Sequence, residues 1–165
     1  MSARAATSRG IPVTYVPDYC VPEVSDHALA LLLAVNRKVA FFHHQTKQGH
    51  YELGAGPPLK RLNQLQLGLI GFGRIGRALF SKATALGLRL VAHTPSGHDY
   101  GTGCPMVTLE TLLHDSDFVS LHLPLNESTR HLINRERLAL MLPDAWIINT
   151  SRGGLIDHDA LQTAL

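Results

Sequence analysis

Gly71, Gly73 and Gly76 are the residues of this chain whose type and spacing most directly imply chemistry. They follow the apolar run Leu65-Gln66-Leu67-Gly68-Leu69-Ile70 and precede a segment in which Ile75, Ala78, Leu79, Phe80 and Ala83 recur with helical period up to Gly87. In a strand, glycine turn and helix spaced G-x-G-x-x-G, the first glycine permits the tight turn and the second clears a path for a pyrophosphate. The third lets helix and strand pack closely. The unpaired amides at the helix N-terminus then face the anion. Glycines at this spacing also mark plain turns; the strand before them and the helix after them favour the dinucleotide reading. Other reactive side chains read as bland. Cys20 and Cys104 have no paired spacing and read as free thiols, and His43 with His44 reads as a solvated helix end with no third ligand, so no metal site is expected.

A phosphate-binding turn needs a frame of strands and helices to hold it. Gly10 to Pro17 reads as a short extended segment bounded by prolines. After Pro22 the pattern predicts one long amphipathic helix, Glu23 to Gln48, with Glu23 and Asp26 in its first turn, Arg37, Lys38 and Lys47 toward its far end, and Gly49 as its stop. Leu29, Leu32, Leu33, Val39 and Phe42 are assigned to packing. Leu53 to Pro58 reads as a linker. Strands are predicted at Leu65 to Ile70, Leu88 to His93, Asp117 to His122 and Trp146 to Asn149. A polar loop is predicted from Thr94 to Gly103 and short helices at Thr108 to Leu113, after an Asn134 cap, and after an Asp157 cap. Alternating strands and helices imply an α/β fold with a doubly wound parallel sheet of Rossmann type.

Composition excludes several classes. The 165 residues allow one domain with a real core, and 45% hydrophobic against 17% charged residues excludes a disordered chain. Fifteen basic and thirteen acidic side chains leave +2, which gives no reason to invoke nucleic acid or an anionic membrane. The longest apolar run, Ala28 to Val35, is too short to cross a bilayer. Met1 to Arg9 carries Arg, Ser and Ala and no acid, as a transit peptide does, but has no clear amphipathic face. The expectation is a soluble, cytoplasmic protein.

Four motifs in order resemble those of the D-isomer-specific 2-hydroxy-acid dehydrogenases, which include phosphoglycerate dehydrogenase, glyoxylate and hydroxypyruvate reductases and the C-terminal-binding-protein corepressors. Val16-Pro17-Asp18-Tyr19-Cys20 with Val24 to Leu29 is similar to the lead into that family's inter-domain helix. Gly68 to Gly76 is similar to its nucleotide loop, and His122-Leu123-Pro124-Leu125-Asn126-Glu127-Ser128-Thr129 and Ile148 to Asp157 complete the set. The resemblance implies an oxidoreductase acting on the CH–OH group of a 2-hydroxy acid, with NAD or NADP as cofactor and a homodimer as the full-length form. It makes Arg152 the active-site arginine that binds the substrate carboxylate and polarises the carbonyl. It places Gly71, Gly73, Arg74, Ile75, Gly76, Thr94, Leu123, Pro124, Thr150, Ser151 and Arg152 along the cofactor. A guanidinium suits that task, being permanently charged and a planar fork for a carboxylate.

Two departures follow. Where NAD users of the family usually carry an acid after the second strand, this chain has Thr94 before Pro95. Thr94 imposes no charge penalty on a 2′-phosphate. It can equally serve only to open a turn. His93, Ser96 and His98 suit a phosphate, yet no arginine follows in the loop, so NAD and NADP both stay open. The family's glutamate and histidine acid–base pair lies well beyond the arginine motif, and here thirteen residues follow Arg152. The expectation is therefore residues 1–60 as the edge of a substrate domain plus the inter-domain helix, and 61–165 as a Rossmann domain lacking its C-terminal part. Such a piece is expected to be inactive alone. A non-catalytic, redox-sensing or corepressor-like dinucleotide module is the alternative.

Overall fold

In the computed structural model, residues 3–16, 18–52, 54, 56 and 58–165 are described. Met1 and Ser2 of the basic start, Pro17, and Leu53, Ala55 and Pro57 of the linker lie outside them. Four strands form the sheet: β1 (Gln66–Ile70), β2 (Arg89–His93), β3 (Phe118–Leu121) and β4 (Trp146–Asn149). The helices are α1 (Ala3–Thr7), α2 (Val21–Asn36), α3 (Val39–Lys47), α4 (Arg74–Ala85), α5 (Leu109–Asp115), α6 (Arg135–Leu138) and α7 (His158–Ala164).

All strand pairs are parallel and the order is β2-β1-β3-β4. Alternate side chains of each strand therefore enter different layers. Leu67, Leu69, Leu90, Ala92, Phe118 and Ile148 join Ala28 and Leu32 of α2 and Leu79 and Ala83 of α4 in one core. Ile70, Val119 and Leu121 join Leu112 and Leu113 of α5, with Ile133, Leu155 and Ile156, in the other. A sheet covered on both faces must be apolar along its whole length. This is why β1 and β3 read as nearly unbroken hydrophobic runs. Gly68 faces α5 so closely that a Cβ there would lie 2.5 Å from Leu112 and Ser116 side-chain atoms. Across the first core, Lys82 of α4 clamps α2 by an ion pair of 2.6 Å to Asp26 and a 2.7 Å bond to Ser25.

The single helix expected from Glu23 to Gln48 is two helices. α2 ends at Asn36, Lys38 takes a left-handed conformation with φ 53°, and α3 starts at Val39. The physical reason is packing: α2 lies against α4, whereas α3 has no buried residue, so the chain can turn off the core surface once Asn36 is covered. Val39, expected in the core, is 55% exposed, and Phe42 stacks edge-on with Phe41 outside both cores. Leu32 is buried as expected, and Leu29 and Leu33 pack against the same core. Gly49 follows α3 with φ 79°, as a helix stop requires. Residues 11–16 are exposed and belong to no strand. The expected caps hold: Asn134 accepts from Arg137 N, and Asp157 from Asp159 N and Ala160 N.

Candidate functional site

Register brings the sequence-predicted residues together. Ile70 pairs with His93 and with Leu121, and Leu121 with Asn149, so these four end the strands in one row. The next residue of each chain segment, Gly71, Thr94, His122 and Thr150, lies just beyond the carboxyl edge. Because β1 lies between β2 and β3, chain order reverses there, and such a switch point opens a crevice for a ligand. Three hydrogen bonds continue the ladder over this edge: Gly71 N to His93 O at 2.9 Å, His122 N to Ile70 O at 2.8 Å and Ser151 Oγ to Leu121 O at 2.7 Å.

The three glycines differ in what demands them. Gly71 has φ 91°, and a Cβ on it would run into the His122 carbonyl. A Cβ on Gly76 would lie 2.5 Å from the Gly71 carbonyl oxygen, so α4 meets the turn only because that side chain is missing. Gly73 is different: its φ is −69°, and a Cβ would meet nothing within 4 Å. No protein atom explains the second glycine, and it opens onto the space ahead of α4, whose N-terminus no side chain caps. That is the cradle a pyrophosphate fits. Arg74 there pairs with Asp18 at 3.2 Å, and Ile75 is half-buried behind it. Arg77 donates to Phe72 O at 3.2 Å and lies 4.2 Å from the centre of the Tyr100 ring, which ties the loop after β2 to the turn.

After β4 the backbone is wound around one amide side chain. Asn149 accepts from Ser151 N at 3.0 Å and donates to Arg152 O at 2.9 Å, while Arg152 Nη1 donates to Ser151 O at 2.9 Å. The Arg152 side chain is exposed, and no carboxylate pairs with it among the described residues. A charged fork is thereby held at the sheet's edge by its own loop. Leu123 is half-buried against the second core, with its Cβ beside Gly71, and exposed Pro124 accepts from Thr129 Oγ1 at 2.7 Å. Thr94 Oγ1 bonds Ser96 Oγ at 3.1 Å, and both residues line a groove of about 770 Å³.

Two buried polar atoms at this edge have no partner among the described residues: His122 Nδ1 and Thr150 Oγ1. Unpaired buried groups are costly unless something else meets them, so both fit a polar guest. His122 Nε2 bonds Ser120 Oγ at 2.9 Å, and burial pushes its pKa from 6.5 down to about 4, which keeps the ring neutral. Asn149 and His122 were not singled out from the sequence. The signal that finds them is register, since both stand at or one residue beyond the carboxyl end of a predicted strand. Burial pushes the Cys104 thiol up to about 11, so it is inert, and among the described residues no His, Cys, Asp or Glu cluster could hold a metal.

A family model described as D-isomer specific 2-hydroxyacid dehydrogenase, NAD binding domain, matches residues 29–165. The chain is 40% identical over 161 residues to a hydroxypyruvate reductase of Thermotoga maritima, covering 98% of this chain and 52% of that protein. D-lactate dehydrogenase from Aquifex aeolicus, solved with NAD and lactic acid, superposes with a TM-score of 0.91 at 32% identity, over 99% of this chain and 50% of its own. An acyclic imino acid reductase solved with NADPH and D-Arg gives the same score and identity over 99% and 53%. The chain spans about half the length of the curated relatives it matches.

Proposed function

The chain belongs to the D-isomer-specific 2-hydroxyacid dehydrogenase family through its NAD-binding domain, and from that premise we propose that it supplies the dinucleotide half of an NAD(P)-dependent oxidoreductase acting on a small 2-hydroxy or 2-oxo acid. The bound nicotinamide would supply hydride transfer to or from the carbon that carries the substrate's oxygen. The chain's own residues bind and orient. Gly71, Gly73 and Gly76, with Arg74 and Ile75, take the pyrophosphate, and Leu123 and Pro124 border the ribose and adenine. Thr150 and Ser151 face the nicotinamide, with the unpartnered Thr150 Oγ1 as support. Arg152 holds the substrate carboxylate and polarises the reacting carbonyl by a charge-assisted contact worth roughly 1.5 to 3 kcal/mol.

In the same reading residues 1–60 carry the edge of a substrate domain and the inter-domain helices, and 61–165 the Rossmann domain. The active form is a cytoplasmic homodimer, in keeping with two free cysteines. No described helix is long and apolar enough to cross a membrane.

The observation that carries the reading is Gly73, a glycine that no contact or backbone angle of the protein requires. Gly73→Ala should leave the melting temperature unchanged while weakening NADH and NADPH binding by calorimetry at least roughly tenfold, about 1.4 kcal/mol. Gly71→Ala should instead destabilise the fold. Undiminished dinucleotide binding by folded Gly73→Ala would remove the dinucleotide reading.

A further inference from the structure

The groove at the end of β2 is lined by the Thr94-Pro95-Ser96 turn together with Glu110 of α5 and Arg137 of α6. Sequence alone left the loop after β2 without an arginine, but the fold brings one from far downstream. Arg137 is half-buried, with Nη1 donating to Leu132 O at 2.7 Å, and no carboxylate pairs with it among the described residues. One nitrogen is thus anchored, and the residue lines the groove. In the turn after β2, the hydroxyls of Thr94 and Ser96 bond each other, and His98 N donates to Ser96 Oγ at 3.4 Å. The turn's own acid, Asp99, is directed away: its carboxylate accepts from Gly101 N and Gly103 N, each at 3.1 Å, and these amides hold its pKa below the ordinary range. His93 is likewise engaged, its Nδ1 at 3.0 Å from Val107 O. Glu110 is the one carboxylate lining the groove, and it stands exposed in the first turn of α5.

A carboxylate after the second strand holds a bare ribose and repels a 2′-phosphate, whereas a nearby arginine accepts one. We infer that Arg137, with the Thr94 and Ser96 hydroxyls that line the same groove, selects a 2′-phosphorylated adenosine, so that the cofactor is NADP(H) in preference to NAD(H). The inference rests on the dinucleotide reading of the glycine turn and goes beyond it in naming the residue that chooses between the two cofactors. A guanidinium and two hydroxyls match a phosphate's several acceptor oxygens and have no such match in a lone 2′-hydroxyl.

The test is calorimetric titration of the 165-residue chain with NADPH, NADH, adenosine 2′,5′-bisphosphate and 5′-AMP. NADPH should bind about tenfold or more tighter than NADH, and the bisphosphate should exceed 5′-AMP by a similar factor. Arg137→Gln should erase both differences and leave NADH affinity within about twofold. If Arg137→Gln does not fold, Arg137→Lys, which keeps the charge and loses the planar fork, decides the matter: the preference for NADPH over NADH should shrink, and an unchanged preference overturns the inference. NADH binding as tightly as NADPH, or Arg137→Gln weakening both alike, overturns the inference and leaves the dinucleotide reading standing. If neither dinucleotide binds, the dinucleotide reading falls, and this inference with it.

Discussion

His122 sits where two demands meet: one ring nitrogen bonds Ser120, and the other is buried without a partner among the described residues. Its pKa falls from 6.5 to about 4 on folding because burial disfavours the charged ring. Between those values the unfolded chain binds a proton that the folded chain refuses. Stability is therefore full above about pH 6.5, declines as pH drops, and levels off near 4, for a total on the order of 3 kcal/mol. Urea denaturation at pH 7 and pH 5 should differ by about 2 kcal/mol in the parent and by less than half of that in His122→Gln. Equal losses would sink the assignment. Asp99 and Asp157, both held below 3.8 by backbone amides, lose their contribution only as pH falls below that value, so they do not mask the histidine. Type and spacing singled out the glycines, and the family resemblance singled out Arg152. They did not announce His122 or Arg137, whose significance comes from what lies across a strand edge or a groove.

At the scale of elements, legibility followed burial. β1 and β3 are covered on both faces, so their apolar runs admit one reading, and Asn134 and Asp157 marked helix starts because their side chains serve the local amides. The break between α2 and α3 left no such mark. Arg37 and Lys38 are good helix formers, and what stops the helix is that the surface of α4 no longer accompanies it. Lys38 carries a left-handed backbone, with φ 53°, that glycine adopts without strain. Lys38→Gly should accordingly raise stability by roughly 0.5 to 1 kcal/mol in denaturant titration. A loss of stability would mean that the Lys38 side chain supports the junction.

For the whole molecule, a four-stranded sheet lies between two apolar layers, and the candidate chemistry is confined to one edge. The β2 border is extended by Met106, bridged to Ala92, whereas β4 forms the other border with Trp146 53% exposed. The resemblance also implies a glutamate and histidine acid–base pair, and no stretch of these 165 residues matches its motif. Purified chain should therefore bind dinucleotide yet show no cofactor-dependent oxidation across a panel of 2-hydroxy acids; turnover would show that a proton donor is present after all. The contact of Arg77 with both the Phe72 carbonyl and the Tyr100 ring has a mechanical meaning. Arg77 acts as a strut between the loop after β2 and the glycine turn. The length and stiffness of the segment from Gly97 to Gly103 thus set how firmly the turn is braced before any ligand arrives.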